Sequence, residues 1–302
     1  MPRRLAWLAL MVTLLAAPLA GLPSARAQGD GTDPATPSPG EKPPAEEAIL
    51  PKYRILSYYG FPGNELMGIL GQYSKSDLRK ELVRQARAYE AADPDRPVKL
   101  AFEMMASVAQ RDPMPDGSYL TYTDPEIIKE YVDYTAKHDM LLILDVQFGR
   151  TSVQEEIAQV RDWLKLPHVH LALDAEFAVK EGEQPGVDLG SLDAKDVQYA
   201  QREMVTIAEE AGIPPKILIL HQFNYYSVSN KEKITPIDGV LFVLEVDGFG
   251  TPDEKRLTYS VMTEEPIQFH GFKLWYSGED DPLMTPEDVL SLDPIPDIVI
   301  YQ

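Results

Sequence analysis

Residues 169–177 read VHLALDAEF, a run of strand-forming apolar residues that ends in two carboxylates one residue apart, Asp174 and Glu176. A short, nearly continuous apolar run is typical of a β-strand that is buried on both faces. Runs of the same kind recur along the chain. In order, the eight runs are residues 54–59, 98–104, 141–148, 169–177, 217–223, 239–247, 269–276 and 297–302.

Amphipathic stretches with helical spacing lie between several of these runs, at residues 74–92, 124–137, 152–166 and 193–211. Buried strands that alternate with helices indicate parallel pairing, and eight such strands are enough to close a barrel. We therefore predict an α/β fold with a single (β/α)8 TIM-type barrel. Residues 223–239 have room for at most a short helix, and we expect no last helix after the eighth strand. A doubly wound open sheet is the alternative, with its site at a switch point.

The residues before the first strand indicate export. Residues 1–27 combine Arg3 and Arg4, an apolar stretch and a small-residue triplet that ends at Ala27, which is the pattern of a cleaved signal peptide. An uncleaved membrane anchor is the alternative. Residues 28–50 are rich in Pro, Gly and acidic residues and predict a disordered linker. Residues 51–302 then form the barrel domain.

The cysteine count and the net charge restrict the classes of partner and the cell compartment that we expect. The chain has no cysteine, which excludes disulfides, thiolate metal sites, thiol nucleophiles and a lipid anchor on cysteine. The net charge is −20, and without the three arginines of residues 1–27 it is −23 (28 − 3 = 25 basic against 48 acidic residues). Such a surface repels nucleic acid and anionic lipids. We expect a secreted or periplasmic, cell-envelope protein with a carbohydrate ligand, which meets the membrane only through an uncleaved signal segment.

Polar residues interrupt the apolar runs near their carboxyl ends, where the site of a parallel barrel lies. Residues i and i+2 of a strand share a face, so the two carboxylates of residues 169–177 point the same way. The predicted catalytic pair is Glu176 and Asp174. The predicted supporting or substrate-binding residues are Glu103, Asp145, Gln147, His221, Gln222, Glu245, Asp247, Lys273, Trp275, Tyr59 and Tyr301.

Convergent carboxylates suit hydrolysis of a glycosidic bond, which needs a protonated acid on the leaving oxygen and a second polar group on the other side of the bond. Crowding raises the pKa of at least one acid and keeps it protonated near neutral pH. We expect Glu176 to be that acid and Asp174 to assist it. Aromatic rings such as Tyr59, Trp275 and Tyr301 offer flat faces to a sugar.

An Asp-x-Glu at the end of the fourth barrel strand resembles the signature of chitinase-type and cellosyl-type-lysozyme glycosidases, which hydrolyse N-acetylhexosamine polymers. The resemblance implies that Glu176 is the general acid and Asp174 its assisting carboxylate. The chitinase pattern has further aspartates where this chain has Ala172 and Val169. The lysozyme type has an acid on the first strand, which here reads RILSYYG. The strings DVQFGR, LHQF and GFKLWY also resemble exported bacterial proteins of unassigned activity.

Two other interpretations of the acids remain open. In the first, the acids form a buried ion-pair network that Lys273, Arg150 or His221 neutralises. Such networks perturb pKa values as active sites do, so a raised pKa alone does not separate the two. Alternatively, the barrel binds a glycan or another envelope component without catalysis. The sequence shows no ordered calcium loop and no nucleotide or zinc-protease motif, so we predict no metal and no cofactor. A divalent ion bound by the carboxylates is the alternative, because oxygen ligands suit calcium or magnesium.

Overall fold

A closed barrel of eight parallel strands forms the centre of the computed structural model, which describes residues 48–263, 267–276 and 278–302. The barrel strands are β1 (Arg54–Gly60), β2 (Val98–Ala109), β3 (Leu141–Gly149), β4 (Val169–Ala178), β5 (Lys216–Gln222), β6 (Val240–Val246), β7 (Phe269–Leu274) and β8 (Ile298–Tyr301). Each strand pairs with the next, and β1 also pairs with β8 in parallel. The β1–β8 pairing closes the barrel and rules out the open sheet. The predicted signal peptide and most of the predicted linker lie outside the described residues.

Six α-helices occur in the described parts of the chain: α1 (Lys75–Ala92), α2 (Pro125–Lys137), α3 (Val153–Leu164), α4 (Ala194–Ala211), α5 (Pro252–Met262) and α6 (Pro286–Leu290). The first four match the predicted helices. Their starts follow from capping: the Ser74 side chain accepts a hydrogen bond from the Asp77 amide, and Ser152 and Glu155 form a reciprocal capping box. None of the helices in the described residues is long and apolar enough to cross a membrane.

The connection from β5 to β6 contains two short 3-10 helices, Tyr225–Ser227 and Lys231–Lys233, as the sequence predicted. Helix α5 was not predicted, although its signals are present. Thr251 and Glu254 form a capping box, and Pro252 opens the first turn. Helix α6 is only five residues long, which is too short for a periodic pattern. The chain therefore has more of the standard barrel helices than the sequence analysis found.

Successive side chains along each strand alternate between two hydrophobic cores, one inside the barrel and one between the barrel and the helices. On β3, Leu142 and Leu144 pack outward in the layer between barrel and helices, whereas Leu141 and Ile143 fill the barrel interior. The inward positions change character along the strand, since Asp145 and Gln147 continue the same face and are buried. The inward side chains are thus mostly apolar toward the amino-terminal ends of the strands, with the buried His170 among them, and mostly polar toward the carboxyl-terminal ends.

Candidate functional site

A cavity of about 550 Å³ opens at the carboxyl-terminal end of the barrel strands. Clefts of this size at this end of a barrel are the usual place for a small-ligand site. The lining combines charged, aromatic and aliphatic side chains, among them Tyr59, Gln147, Asp174, Glu176, Phe177, Asp247, Lys273 and Trp275. The predicted catalytic pair therefore faces open space.

His221, on β5, lies at the centre of a buried ion-pair cluster. Its Nε2 lies 2.7 Å from Glu103 Oε1, and its Nδ1 lies 2.8 Å from Glu245 Oε2. Burial lowers the pKa of His221, but the charge of Glu103 and hydrogen bonds to the surrounding carboxylates outweigh burial and raise it well above its usual value. The surrounding carboxylates therefore favour the protonated imidazole, which acts as a resident cation.

Lys273, on β7, is the second resident cation. Its Nζ lies 2.9 Å from Asp247 Oδ1, above the ring of Tyr59 and beside that of Trp275. Burial raises the pKa of Asp247, but Lys273 and His221 outweigh that effect and hold it below its usual range. We call Glu103, His221, Glu245, Asp247 and Lys273 the cation-paired group.

Three further carboxyls have neutral partners or none. The Tyr59 hydroxyl donates to Asp145 Oδ2 at 2.8 Å, and Gln147 Nε2 donates to Asp174 Oδ2 at 3.0 Å. Gln147 is itself fixed, because its Oε1 accepts from the Ala109 amide at 2.8 Å. Within the described residues, no lysine, arginine or histidine forms an ion pair with Asp145, Asp174 or Glu176. We call these three the unpaired group.

Burial beside other acids shifts the unpaired group toward its protonated form. Desolvation, followed by the charge of Asp145, raises the pKa of Asp174 to about 8. Desolvation and the charge of Asp174 raise the pKa of Glu176 well above its usual range. For Asp145, burial raises the pKa to about 7 against the opposing charge of His221. Carboxyls of the unpaired group therefore retain protons near neutral pH.

Glu176 is held in place by the loop that follows β4. The Gly190 amide donates to the Glu176 carbonyl at 2.7 Å, and the Ser191 amide donates to the Ala178 carbonyl at 2.9 Å. A Cβ at position 190 would lie 2.5 Å from the Ala178 nitrogen, so only glycine fits this crossing. Glu176 is partly exposed, whereas Asp174 is buried.

Two overlapping groups contain enough ligand atoms to hold a metal ion: Glu103, Asp145 and His221, and His221, Glu245 and Asp247. In both groups the histidine is His221, whose two nitrogens already contact carboxylates. A protonated imidazole donates from both nitrogens and has no lone pair for a metal. We therefore interpret the contacts of His221 with Glu103 and Glu245 in these groups as ion pairs.

The structure places most predicted site residues on the inner face of the barrel end, but not all. Tyr301 lies on the outer face of β8, because Ile298 and Ile300 occupy the inward positions; its hydroxyl lies 2.7 Å from that of Tyr89. Gln222 follows the inward His221 and turns away, where its Nε2 donates to the carbonyl of Asn224. Both positions correct the prediction that these side chains reach the cavity.

Arg150, a suggested neutralising cation, also lies elsewhere. Its guanidinium packs over the Tyr119 ring and donates to the Glu183 carbonyl. Lys273 and His221 are the cations that pair with the cluster.

The sequence analysis did not find the cavity rim. Residues 186–189 and residues 66–67 line the cavity from loops, and Leu66, Val187 and Leu189 are exposed there. No motif marks such residues, because their position depends on how the loops fold over the barrel. Gly271 was also missed: it pairs with Glu245, and a Cβ there would lie 2.8 Å from Glu245 Cγ. The absence of a side chain on β7 makes room for the Glu245 side chain.

No protein-family model matches the chain, and no curated protein matches it. The function must therefore be argued from the site.

Proposed function

We propose that the protein is a glycoside hydrolase that acts on a polysaccharide of the cell envelope or the surroundings, with Glu176 as general acid and Asp174 as its assisting carboxylate. The observation that carries the proposal is the position of this pair on the wall of the barrel-end cavity, with no ion-pairing cation within the described residues. The resemblance of Asp-x-Glu on β4 to chitinase-type glycosidases adds support.

The proposed reaction needs one proton and one water molecule. Protonated Glu176 donates its proton to the glycosidic oxygen as the carbon–oxygen bond breaks. Water then supplies hydroxide to the anomeric carbon and returns a proton to Glu176, so the carboxyl is regenerated. The raised pKa of Glu176 keeps the acid protonated near neutral pH.

Asp174 contributes through its position. It shares the inner face of β4 with Glu176, and Gln147 fixes one of its oxygens at 3.0 Å. Asp174 lines the cavity, and its Oδ1 is buried without a hydrogen-bond partner within the described residues, so a substrate donor that reached this oxygen would satisfy it.

A second candidate function is a non-catalytic barrel that binds a glycan. The ion pair of Lys273 with Asp247 favours it, because it supplies a neutralised cavity floor that binding tolerates. Aromatic side chains beside polar groups, such as Trp275 and Phe177, suit sugar binding with or without catalysis.

The experiment that separates the two candidates is hydrolysis of a panel of soluble polysaccharides and peptidoglycan by the purified protein. Glu176→Gln is run beside the wild type, and Glu181→Gln, an exposed acid in the following loop, is the matched control. We expect release of reducing ends by the wild type and the control, and a loss of about 10²–10⁴-fold in rate for Glu176→Gln. Equal activity of Glu176→Gln would disprove its role. Glycan binding without hydrolysis by any of the three would establish the binding barrel.

A further inference from the structure

The environment of Lys273 shows how this cavity holds a positive charge. The ammonium lies 2.9 Å from a carboxylate oxygen of Asp247, 3.9 Å from the centroid of the Tyr59 ring and 4.8 Å from that of Trp275. Carboxylate oxygens and the faces of aromatic rings are both favourable partners for an ammonium. Lys273 is only 3% exposed, so this cation is part of the cavity floor and already occupies the position beside Asp247.

The β4 side of the cavity has similar components without a resident ammonium. Asp174, Glu176 and Phe177 line it. Asp174 is only 4% exposed, and its Oδ1 has no hydrogen-bond partner within the described residues. A buried acceptor without a partner is energetically costly, and a ligand that donates a hydrogen bond to it removes that cost.

Acidic side chains outnumber basic ones on the cavity wall, although burial keeps Asp174 and Glu176 protonated near neutral pH in the free protein. The acids Asp174, Glu176, Asp188 and Asp247 face one base, Lys273. The chain as a whole carries a net charge of −20, so its field attracts cations to the barrel mouth. Both the local and the overall charge favour a ligand that brings a positive group.

We propose that the ligand of this cavity carries a free amino group, and that its ammonium binds at Asp174 and Glu176. Combined with the proposed glycosidase function, on which this step rests, the substrate class is a polysaccharide of amino sugars whose nitrogen is not acetylated. This class differs from the N-acetylated polymers that the resemblance implies. An acetamido group is neutral and has one N–H donor, whereas an ammonium has three donors and a charge.

The assignment fits the proposed chemistry. An ammonium beside Asp174 stabilises the ionised form of that carboxylate, so the proton of the pair stays on Glu176. Glu176 is the partly exposed member of the pair and lines the cavity, where a leaving oxygen can receive the proton. The same charge would thus bind the sugar and assign the proton to the general acid.

The test is calorimetric titration of the wild-type protein with three oligosaccharides of equal length and linkage, made of glucosamine, N-acetylglucosamine or glucose. We expect the glucosamine oligomer to bind at least about tenfold more tightly than the other two. The preference should shrink between about 50 mM and about 500 mM salt, because screening weakens the charge interaction. Release of reducing ends is measured in parallel.

Two variants locate the ammonium. Asp174→Asn should bring the glucosamine affinity close to that for glucose, so that the preference between the two oligomers is lost. Glu181→Gln removes the same charge from an exposed position and should preserve the preference. Equal binding of all three oligomers, or preference for the acetylated one, would overturn the amino-sugar assignment and leave the glycosidase proposal intact. Failure of the wild type to bind or hydrolyse any of the three or the polysaccharide panel would refute both.

Discussion

The cation-paired group and the unpaired group occupy the same end of the same barrel, yet they solve the problem of buried negative charge in opposite ways. In the cation-paired group, His221 and Lys273 lie within ion-pair distance of Glu103, Glu245 and Asp247. In the unpaired group, Asp145 and Asp174 accept from a phenol and an amide instead. In the first group Lys273 and His221 hold the pKa of Asp247 below its usual range, whereas burial raises the pKa values of Asp145, Asp174 and Glu176 in the second group. Glu245, in the first group, has a raised pKa of about 7 despite its contact with His221.

The presence or absence of an ion pair decides whether a buried carboxyl has a structural role or can transfer a proton. A buried ion pair is fixed in place, because removal of either partner leaves an uncompensated charge. A protonated carboxyl without a cation can instead donate its proton, or lose its proton when a cationic ligand binds. The candidates for proton transfer therefore belong to the unpaired group. The ion pairs of the cation-paired group have a structural role.

The most severe test of this comparison is Lys273→Met. The change leaves Asp247 buried without its ammonium, and we expect the free energy of unfolding to fall by about 3–5 kcal/mol. Urea denaturation at pH 7 measures it. Asp174→Asn is the matched variant in the unpaired group and should cost less than about 1 kcal/mol, since no ion pair is lost. Equal losses for the two variants would remove the distinction between the groups.

The second prediction concerns pH. Burial raises the pKa values of Asp145 and Glu245 to about 7 and that of Asp174 to about 8. Between about pH 4 and 8 each of these carboxyls therefore binds more protons in the folded protein than in the unfolded chain, and each contributes a loss of stability as pH rises through its folded pKa. The lowered pKa values of Lys216 and His170 contribute with the opposite sign. Asp174→Asn removes one of these protons. Its profile of unfolding free energy against pH should be shallower by up to about 1.4 kcal/mol per pH unit.

The pH profile is measured by urea denaturation at several pH values, with Glu181→Gln as the control that should parallel the wild type. The ionisable groups that influence Asp174 through its surroundings are Asp145, Glu176, His221, Asp247 and Lys273. An Asp174→Asn profile as steep as that of the wild type would mean that Asp174 is ionised in the folded protein.

The fold and the inward acids could be predicted from the sequence because both depend on local patterns. The alternation of Leu142, Ile143, Leu144 and Asp145 assigns each side chain to a face of its strand, and the barrel brings the strand ends together. The same alternation, applied consistently, would have turned Gln222 and Tyr301 outward, since their neighbours His221 and Ile300 face inward.

Pairing within the cluster could not be predicted. Which acid meets His221 or Lys273 depends on strand register and on side-chain length, which no local pattern contains. The cavity rim depends on long-range loop contacts, such as the bond of Gly190 to Glu176. Gly271 was hidden for the same reason: its role is visible only once Glu245 is known to lie opposite.

Gly271→Ala tests whether the packing around Glu245 in the cation-paired group can accommodate an added methyl group. The new Cβ would lie 2.8 Å from Glu245 Cγ and would push that carboxylate away from His221. We expect a loss of about 1–3 kcal/mol in thermal or urea unfolding. Gly248→Ala is the control, since its Cβ would meet its nearest atom at 3.5 Å, and should change stability by less than about 0.5 kcal/mol. A neutral Gly271→Ala would show that the network relaxes freely.

Tyr59 tests the boundary between the groups, because it touches both: its ring lies 3.9 Å below the Lys273 ammonium, and its hydroxyl donates to Asp145. Tyr59→Phe keeps the ring and removes only the hydrogen bond, so we expect a loss of about 1 kcal/mol. Tyr59→Leu removes the aromatic face as well and should cost about 1 kcal/mol more through the Lys273 contact. If Phe and Leu destabilise equally in urea unfolding, the Tyr59 ring contributes nothing to holding Lys273, and the ammonium is held by Asp247 and Trp275.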